Sequence, residues 1–328
     1  LIAASVIGRR EFEGIDVRVF DTHGWFLDRW VDEILGYDPD VIACSSYVWS
    51  TPTFYTLVRA IRARAPRVKV VFGGPSARPE LFALPNYTEA TTCIDALVVG
   101  EGEETFPDLV RAWQSGRSLA SVPGIAIPVG NRFVKNEKRV VIPNLDDLPS
   151  PYHLGLVPTG VTAQLEPFRG CPMSCVFCQW GGEADGRRAM SADYVTEEFR
   201  RFQRHGATGL YLVDAGINLN KKAFRAIAEA ESRTGFIRDT QLTCEIYPAF
   251  LEEEHLELLR STRSQVGLGL QSLDGSLLKQ LDRQVKLVPL LDAERRLRGI
   301  VSRDDLPARA EERIYARARA PVRVSFGG

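Results

Sequence analysis

A doubly wound α/β domain followed by part of a (β/α) barrel is the fold class this sequence predicts. Short β-branched runs alternate with amphipathic runs over the first hundred residues, a Pro-rich stretch breaks the rhythm, and a second series of strand-like runs follows it. Those three observations carry the expectation.

In the first series, "DVRVFD" (16–21), "DVIACSSYVW" (40–49), "VKVVFGG" (68–74) and "DALVVGEGE" (95–103) read as strands. Near-continuous apolar runs of this kind suit a parallel sheet covered on both faces. "WFLDRWVDEIL" and "TPTFYTLVRAIRARA" have the spacing of amphipathic helices between them. The helix-like opening "LIAASVIGRR" begins at Leu1 rather than Met, so a first strand is expected to be missing. This domain is assigned to residues 1–116. Residues 117–160 read as hairpin and linker: "GIAIPVGNRFVKN" turns at Gly130-Asn131, and "IPNLDDLPSPYH" is Pro-rich.

Residues 161–286 form the second series. "VTAQLEPF" (161–168), "GLYLVD" (209–214), "QLTCEIYP" (241–248) and "QVGLGLQS" (265–272) are strand-like, with helical runs such as "SADYVTEEFRRFQRHG" and "KKAFRAIAEAESR" between them. Repeated βα units predict part of a barrel whose working groups gather at the C-terminal strand ends. Residues 287–328 depart from that pattern, with nine arginines, no lysine and little strand periodicity. A short strand and helix in "RGIVSRDDL" is the most regular structure expected there, and the tail reads as an atypical or truncated ending.

Composition narrows the function classes. A net charge of −1 gives no general attraction to nucleic acid or anionic lipid. No apolar run is long enough for a membrane span, and the N-terminus has no signal-peptide pattern, so a cytoplasmic protein is expected. Six cysteines, three of them clustered, fit a reducing compartment and a metal site better than a disulfide scaffold.

The cluster is "GCPMSCVFCQW" (170–180), with Cys171, Cys175 and Cys178. Zinc normally takes four ligands, often from paired Cys-x2-Cys knuckles, and a zinc loop borrowing its fourth ligand elsewhere is one reading. The other is a 4Fe–4S cluster held through three irons, its fourth iron open to a small molecule.

Cys171-x3-Cys175-x2-Cys178, with Phe177 before the last cysteine, resembles the cluster loop of the radical S-adenosylmethionine enzymes. The resemblance implies that the open iron takes the amino and carboxylate groups of S-adenosylmethionine, which one electron then cleaves to a 5′-deoxyadenosyl radical. It also implies cofactor-binding roles for strand-end residues. Asp214 ends the second barrel strand, where the family places groups that hold the methionine amine. Glu245 ends the third, Gln271 and Ser272 end the fourth, and Arg283 follows with a guanidinium able to meet a carboxylate bidentately. Gly181-Gly182-Glu183 spells the family's amine-binding motif but lies just past Cys178, so it reads as loop.

The first domain, with "SSYVWS", "GGPSARP" and "VVGEGEETFPDLV" after successive strands, resembles the cobalamin-binding domain that one large subgroup carries ahead of its barrel. The implied fold is a Rossmann-like, flavodoxin-like domain followed by a partial TIM-type radical barrel. Ser45, Ser46 and Tyr47, then Gly73, Gly74 and Pro75, then Glu101 and Gly102 are the implied cobalamin-side residues. A plain flavodoxin-like domain for another ligand is the competing reading. "FDTHGW" is not in the place of the cobalt-binding Asp-x-His motif, so His23 reads as a loop histidine. His153, His205 and His255 form no visible constellation, and Trp25, Trp49 and Trp180 are expected to pack.

The resemblance implies a methyl transfer to an unactivated carbon of a small-molecule or peptide substrate, with a one-electron donor such as flavodoxin or ferredoxin. A cofactor-binding but catalytically incomplete fragment is the alternative.

Overall fold

The computed structural model describes residues 1–20, 26–178, 180, 188–269, 271–272, 275–282, 287–291 and 297–302. The chain divides into two compact units, Leu1–Pro143 with Asp147–Val157, and Asn144–Asp146 with Pro158–Gly328.

The first unit opens with helices α1 (Ile2–Ile7) and α2 (Leu27–Gly36). Strand β1 (Val41–Ser45), helix α3 (Thr51–Arg64), strand β2 (Lys69–Gly73), short helices α4 (Pro79–Phe82) and α5 (Ala90–Cys93), strand β3 (Ala96–Val98) and helix α6 (Gly102–Ser115) follow. β1, β2 and β3 are parallel. The hairpin of β4 (Ile125–Val129) and β5 (Arg132–Lys135) adds to the same sheet antiparallel, in the order β1-β2-β3-β4-β5.

Side-chain alternation shows why the sheet is covered twice. Val70, Phe72 and Leu97 join one core with Tyr55, Phe82, Tyr87 and Phe133. Val71, Ala96 and Val98 join a second core with Leu109, Ala112 and Ile125. Successive residues of one strand therefore feed opposite layers. Phe82 is the hub of the first core, edge-on to Phe72, Tyr87 and Phe133 at 5.3–5.8 Å. Asp108 of α6 takes ion pairs from Arg111, Arg117 and Arg139, tying the chain beyond the hairpin to that helix.

One expected strand is corrected. The described part of "DVRVFD", residues 16–20, joins no ladder among the described residues. Val17 packs instead beside Phe12 and Val6, and Phe20 beside Val31 and Ile61. Without a neighbouring ladder this alternating stretch half-buries Val17 and Phe20 against separate cores and leaves Arg18 and Val19 exposed.

The second unit begins with β6 (Thr162–Leu165), then the two-residue strands β7 (Phe168–Arg169) and β8 (Arg188–Ala189), which pair with each other. Helix α7 (Ala192–Arg204), β9 (Gly209–Leu212), α8 (Lys221–Thr234), the turn-length helix α9 (Phe236–Asp239) and β10 (Leu242–Ile246) come next. They are followed by α10 (Glu253–Ser261), β11 (Ser264–Leu268) and α11 (Gly275–Gln280). β6, β9, β10 and β11 form a parallel sheet in the order β11-β10-β9-β6. Ala163, Leu165, Leu210, Leu212, Leu242, Cys244 and Ile246 are buried, while Gln164, Tyr211 and Glu245 between them are exposed. Phe199, Phe202 and Phe236, mutually within 6.1 Å, lock α7 and α9.

The tail also needs correction. β12 (Leu287–Leu291) and β13 (Leu297–Ser302) pair antiparallel, with a register shift at Leu290/Leu291. The proline inside the first strand and the irregular register hide its period from a sequence reading. Residues 303–328 lie outside the described residues.

Candidate functional site

Three loops converge at the C-terminal ends of β1, β2 and β3. Ser46 N–H donates to Gly73 O at 2.6 Å, and Ser76 N–H donates to Ser46 O at 3.0 Å, so the first two loops are stitched together. Gly74 has φ +96°, and a β-carbon there would fall 2.9 Å from Ser46 O. Only glycine allows both that conformation and that approach.

The hydroxyls of the first loop serve its own shape. Ser46 is fully buried with its Oγ 2.6 Å from Thr51 Oγ1. Ser50 Oγ accepts from Tyr47 N–H and donates to Ser45 O, both at 3.0 Å. What the edge presents outward is Tyr47 stacked on Trp49, 4.8 Å between centroids and 14° between planes, beside exposed Val48, Gly74 and Pro75. Trp49, expected to pack, is 74% exposed, because it lies on the loop tip beyond the sheet.

At the third loop Glu101 Oε2 accepts from Ile142 N–H at 2.8 Å. A β-carbon on Gly102 would fall 2.7 Å from Ile2 Cδ1. Both residues therefore already have internal work, one holding the segment after the hairpin and the other admitting α1. His23 and Trp25 lie outside the described residues.

The cysteine loop leaves the second sheet just past β6. β7 and β8 close its base through the pairs Phe168↔Ala189 and Arg169↔Arg188, and Met190 N–H donates to Pro167 O at 2.9 Å. Farther out, Val176 N–H donates to Leu281 O at 3.2 Å and Ser174 Oγ bonds Asp282 Oδ2, docking the loop on the end of α11. Cys178 N–H donates to Cys175 O at 3.0 Å, a tight turn that brings those two residues together. Trp180 N–H donates to Cys178 Sγ at 3.4 Å, the kind of contact that tunes a cluster sulfur. Trp180 is itself exposed, a second departure from the expected packing.

Cys175 is buried, Cys171 half-buried and Cys178 exposed, and all six cysteines of the chain are thiols. Among the described residues no three Cys, His, Asp or Glu side chains converge on one point. The soft donor set nonetheless fits an iron–sulfur cluster: three thiols share one loop, tied at its base and pinned at its crown. Gly181, Gly182 and Glu183 lie outside the described residues.

Next along the same edge is an acidic group. Asp214, two residues past β9, is 4% exposed. Its Oδ1 accepts from Gly216 N–H at 2.8 Å, while Oδ2 is buried with no hydrogen-bond partner. Burial pushes its carboxyl up to about 7, and the charges of Glu166 and Glu245 push the same way. Glu245, on β10, is also raised by desolvation. Its carboxylate lies over Gly267 of β11, in the space a β-carbon there would take. A buried carboxylate oxygen with no partner, which also feels the charges of Glu166 and Glu245, asks for a cation, and the ammonium end of S-adenosylmethionine fits that demand.

Sequence reasoning missed Glu166, which is paired with Arg169 at 2.8 Å and adds to the field on Asp214. Its place directly after a barrel strand was the available signal. It also missed Asn218, buried on the loop that carries Asp214 and bonded to the backbone of Tyr247 just past β10. Gln271 is exposed and Ser272 half-buried, just past β11; Arg283 lies outside the described residues.

Comparison with known proteins agrees with this layout. Residues 2–110 match the B12 binding domain, and residues 165–301 match the radical SAM superfamily. The cobalamin-dependent radical SAM methyltransferase TokK of Streptomyces tokunonensis is 30% identical over 270 residues, covering 75% of this chain and 38% of TokK. The 2-(S-pantetheinyl)-carbapenam-3-carboxylate methyltransferase of Streptantibioticus cattleyicolor is 33% identical over 216 residues, covering 60% of this chain and 31% of that protein. The chain thus spans about a third of the length of these relatives. Among solved structures, the methyltransferase TsrM of Kitasatospora setae superposes with a TM-score of 0.64 at 18% identity, over 84% of this chain and 57% of TsrM. The cobalamin-dependent radical enzyme OxsB gives 0.66 at 18%, over 86% of this chain and 42% of OxsB. At that identity they speak for the fold. The paired domains imply cobalamin, a 4Fe–4S cluster and S-adenosylmethionine as cofactors, and the chain belongs to the radical S-adenosylmethionine superfamily, in the group whose barrel follows a cobalamin-binding domain.

Proposed function

We propose that this chain carries the cofactor sites of a cobalamin-dependent radical S-adenosylmethionine methyltransferase acting on an unactivated carbon of a small-molecule or peptide natural product. The observation that carries the reading is the shared edge: a three-thiol loop and the buried Asp214, whose Oδ2 has no hydrogen-bond partner, follow adjacent strands of one parallel sheet.

Cys171, Cys175 and Cys178 hold three irons, and the N–H of Trp180 steadies the last thiolate. Asp214 and Glu245 receive the cationic end of S-adenosylmethionine, with Gln271 and Ser272 contributing farther along the edge and Arg283 in the carboxylate-binding role that the resemblance implies. Tyr47, Trp49, Gly74 and Pro75 offer a flat, partly apolar face to a corrin, which the loop hydroxyls shape from behind. When bound, the cluster supplies the electron that cleaves S-adenosylmethionine, and cobalamin carries the methyl group.

An electron donor such as flavodoxin or ferredoxin belongs to this reading, as does a reducing cytoplasm, which keeps six thiols unpaired. No helix among the described residues is long and apolar enough to cross a membrane. With a net charge of −1, neither a membrane surface nor nucleic acid is a partner in this reading. A second reading, a unit that binds the cofactors without turnover, is favoured by the parallel sheet having four strands among the described residues. Anaerobic incubation of reduced, cluster-loaded protein with S-adenosylmethionine separates the two. Release of 5′-deoxyadenosine together with methyl transfer supports the enzyme, and cofactor binding without either product supports the second reading.

A further inference from the structure

The ladder between β9 and β10 is short. Leu210 pairs with Leu242 and Tyr211 with Thr243, and there the pairing ends, although β10 runs on to Ile246. The second half of β10 carries Glu245. Its neighbour on that side is the loop after β9, which carries Asp214.

Three hydrogen bonds take over where the ladder stops. Ile217 N–H donates to Glu245 O at 2.9 Å. Asn218 Oδ1 accepts from Tyr247 N–H at 2.9 Å, and Asn218 Nδ2 donates to Tyr247 O at 2.8 Å. The side-chain amide thus supplies both the donor and the acceptor that a parallel neighbour would have supplied from two residues, and it does so at 5% exposure. The same loop folds back through Gly216 N–H to Asp214 Oδ1 and through Leu219 N–H to Gly216 O at 2.9 Å.

We infer that Asn218 is a positioning residue, a counterfeit strand residue that fixes the loop bearing Asp214 against the strand bearing Glu245 and so sets the geometry of the two carboxylates toward their cationic ligand. This rests on the proposed binding of S-adenosylmethionine by those carboxylates. Asn218 touches neither ligand nor cluster in this role. It acts through backbone, so its loss should weaken binding more than its share of folding stability accounts for.

Position also governs charge. Asp214 is held in a buried place with Glu166 and Glu245 as its charged neighbours, and the adjacent Cys244 thiol, pushed up to about 12, stays neutral. If the loop loosens, water reaches Asp214 and its carboxyl falls back toward the ordinary range.

The test uses the full chain, anaerobically loaded with its cluster, and S-adenosylmethionine itself as probe. Affinity is measured by calorimetry from pH 6 to 8, well below the melting temperature, for the parent, Asn218→Ala and Glu231→Gln. Glu231 is a buried structural control that caps α9 through Ile237 N–H and Arg238 N–H. The expected result is about a tenfold loss of affinity for Asn218→Ala. The pH below which its binding weakens should also move down, while Glu231→Gln melts earlier yet binds as the parent does. Parent-like affinity and pH profile in Asn218→Ala overturn the inference. Absence of binding by the parent overturns the underlying reading, and the inference with it. Should Asn218→Ala fail to fold, hydrogen exchange of the Tyr247 amide in the parent decides: slowing on addition of S-adenosylmethionine supports the clamp, and an unchanged rate overturns it.

Discussion

The strand-end loops of the two units handle polarity in opposite ways. In the first unit the loop hydroxyls and Glu101 are matched within the protein, and the outward surface is rings, glycine and proline. In the second, Asp214 keeps a buried oxygen without a partner and feels two more carboxylates. A finished loop with an apolar face suits a large neutral ligand, which is bound by area and shape. An electrically unfinished loop suits a small cation, which completes it. The contrast teaches that the two sites have different relations to stability: the first neither gains nor loses much when empty, whereas the second is strained by its own charge until filled.

The largest expected effect tests the thiols. Cys171, Cys175 and Cys178 replaced together by Ala should take iron content after anaerobic reconstitution from about four per chain to near zero. Stoichiometric zinc without sulfide in the parent loop would contradict the cluster instead.

Asp214→Asn comes next and should act in two directions. Affinity for S-adenosylmethionine should fall by roughly ten- to hundredfold, the usual range for a hydrogen bond to a charged group. Stability of the cofactor-free protein should move the other way. Because the folded carboxyl titrates near 7, above its ordinary value, the folded state binds the proton more tightly than the unfolded chain. Stability is then fully present at acid pH and is lost as pH rises toward and through 7. The Asn variant has no such loss, so thermal melting should show it more stable than the parent at pH 8 and closer to it at pH 5. A variant less stable at pH 8 would mean that Asp214 is not strained.

In the first unit, Gly74→Ala should lower stability by about 1–3 kcal/mol through its left-handed backbone and the approach to Ser46 O. Trp49→Ala and Tyr47→Ala should leave melting nearly unchanged, within about 0.5 kcal/mol, and weaken cobalamin retention severalfold. Equal retention would remove the ring pair from the corrin face. The smallest effect concerns His23: the visible spectrum of bound cobalamin should be the same in His23→Ala as in the parent, and a change from a histidine-bound to an unbound spectrum would identify His23 as a cobalt ligand.

How much of this could be read in advance follows from what each feature depends on. β1, β2 and β3 were legible because they read as short apolar runs, β2 and β3 being buried on both faces, and the cysteine loop because its spacing has few other uses. Residues 16–20 misled for a different reason: Asp-Val-Arg-Val-Phe alternates as a strand does, but alternation does not supply a partner strand. Ser46 and Glu101 look like ligand groups in the sequence, and only their neighbours Thr51 and Ile142 reveal internal bonds. Asn218 was illegible for a related reason: a side chain posing as backbone needs the missing rung of another strand to give it meaning. The pairing of β12 with β13 was hidden by a proline and an uneven register.

The two-rung ladder of β7 and β8 has a consequence for the life of the cluster in air. Closing a long chain segment is an entropic charge that grows with its length, and here β7 and β8 have met it before any iron arrives. The three cysteines remain on one closed loop whether or not they are ligated. Oxygen damage that strips the irons should therefore leave a loop ready for refilling, and rescue should require only reductant, iron and sulfide, with no refolding step. Opening that small clasp, by Phe168→Pro for instance, would convert repair into assembly, visible as slower and less complete recovery of the cluster's absorbance after each exposure to oxygen.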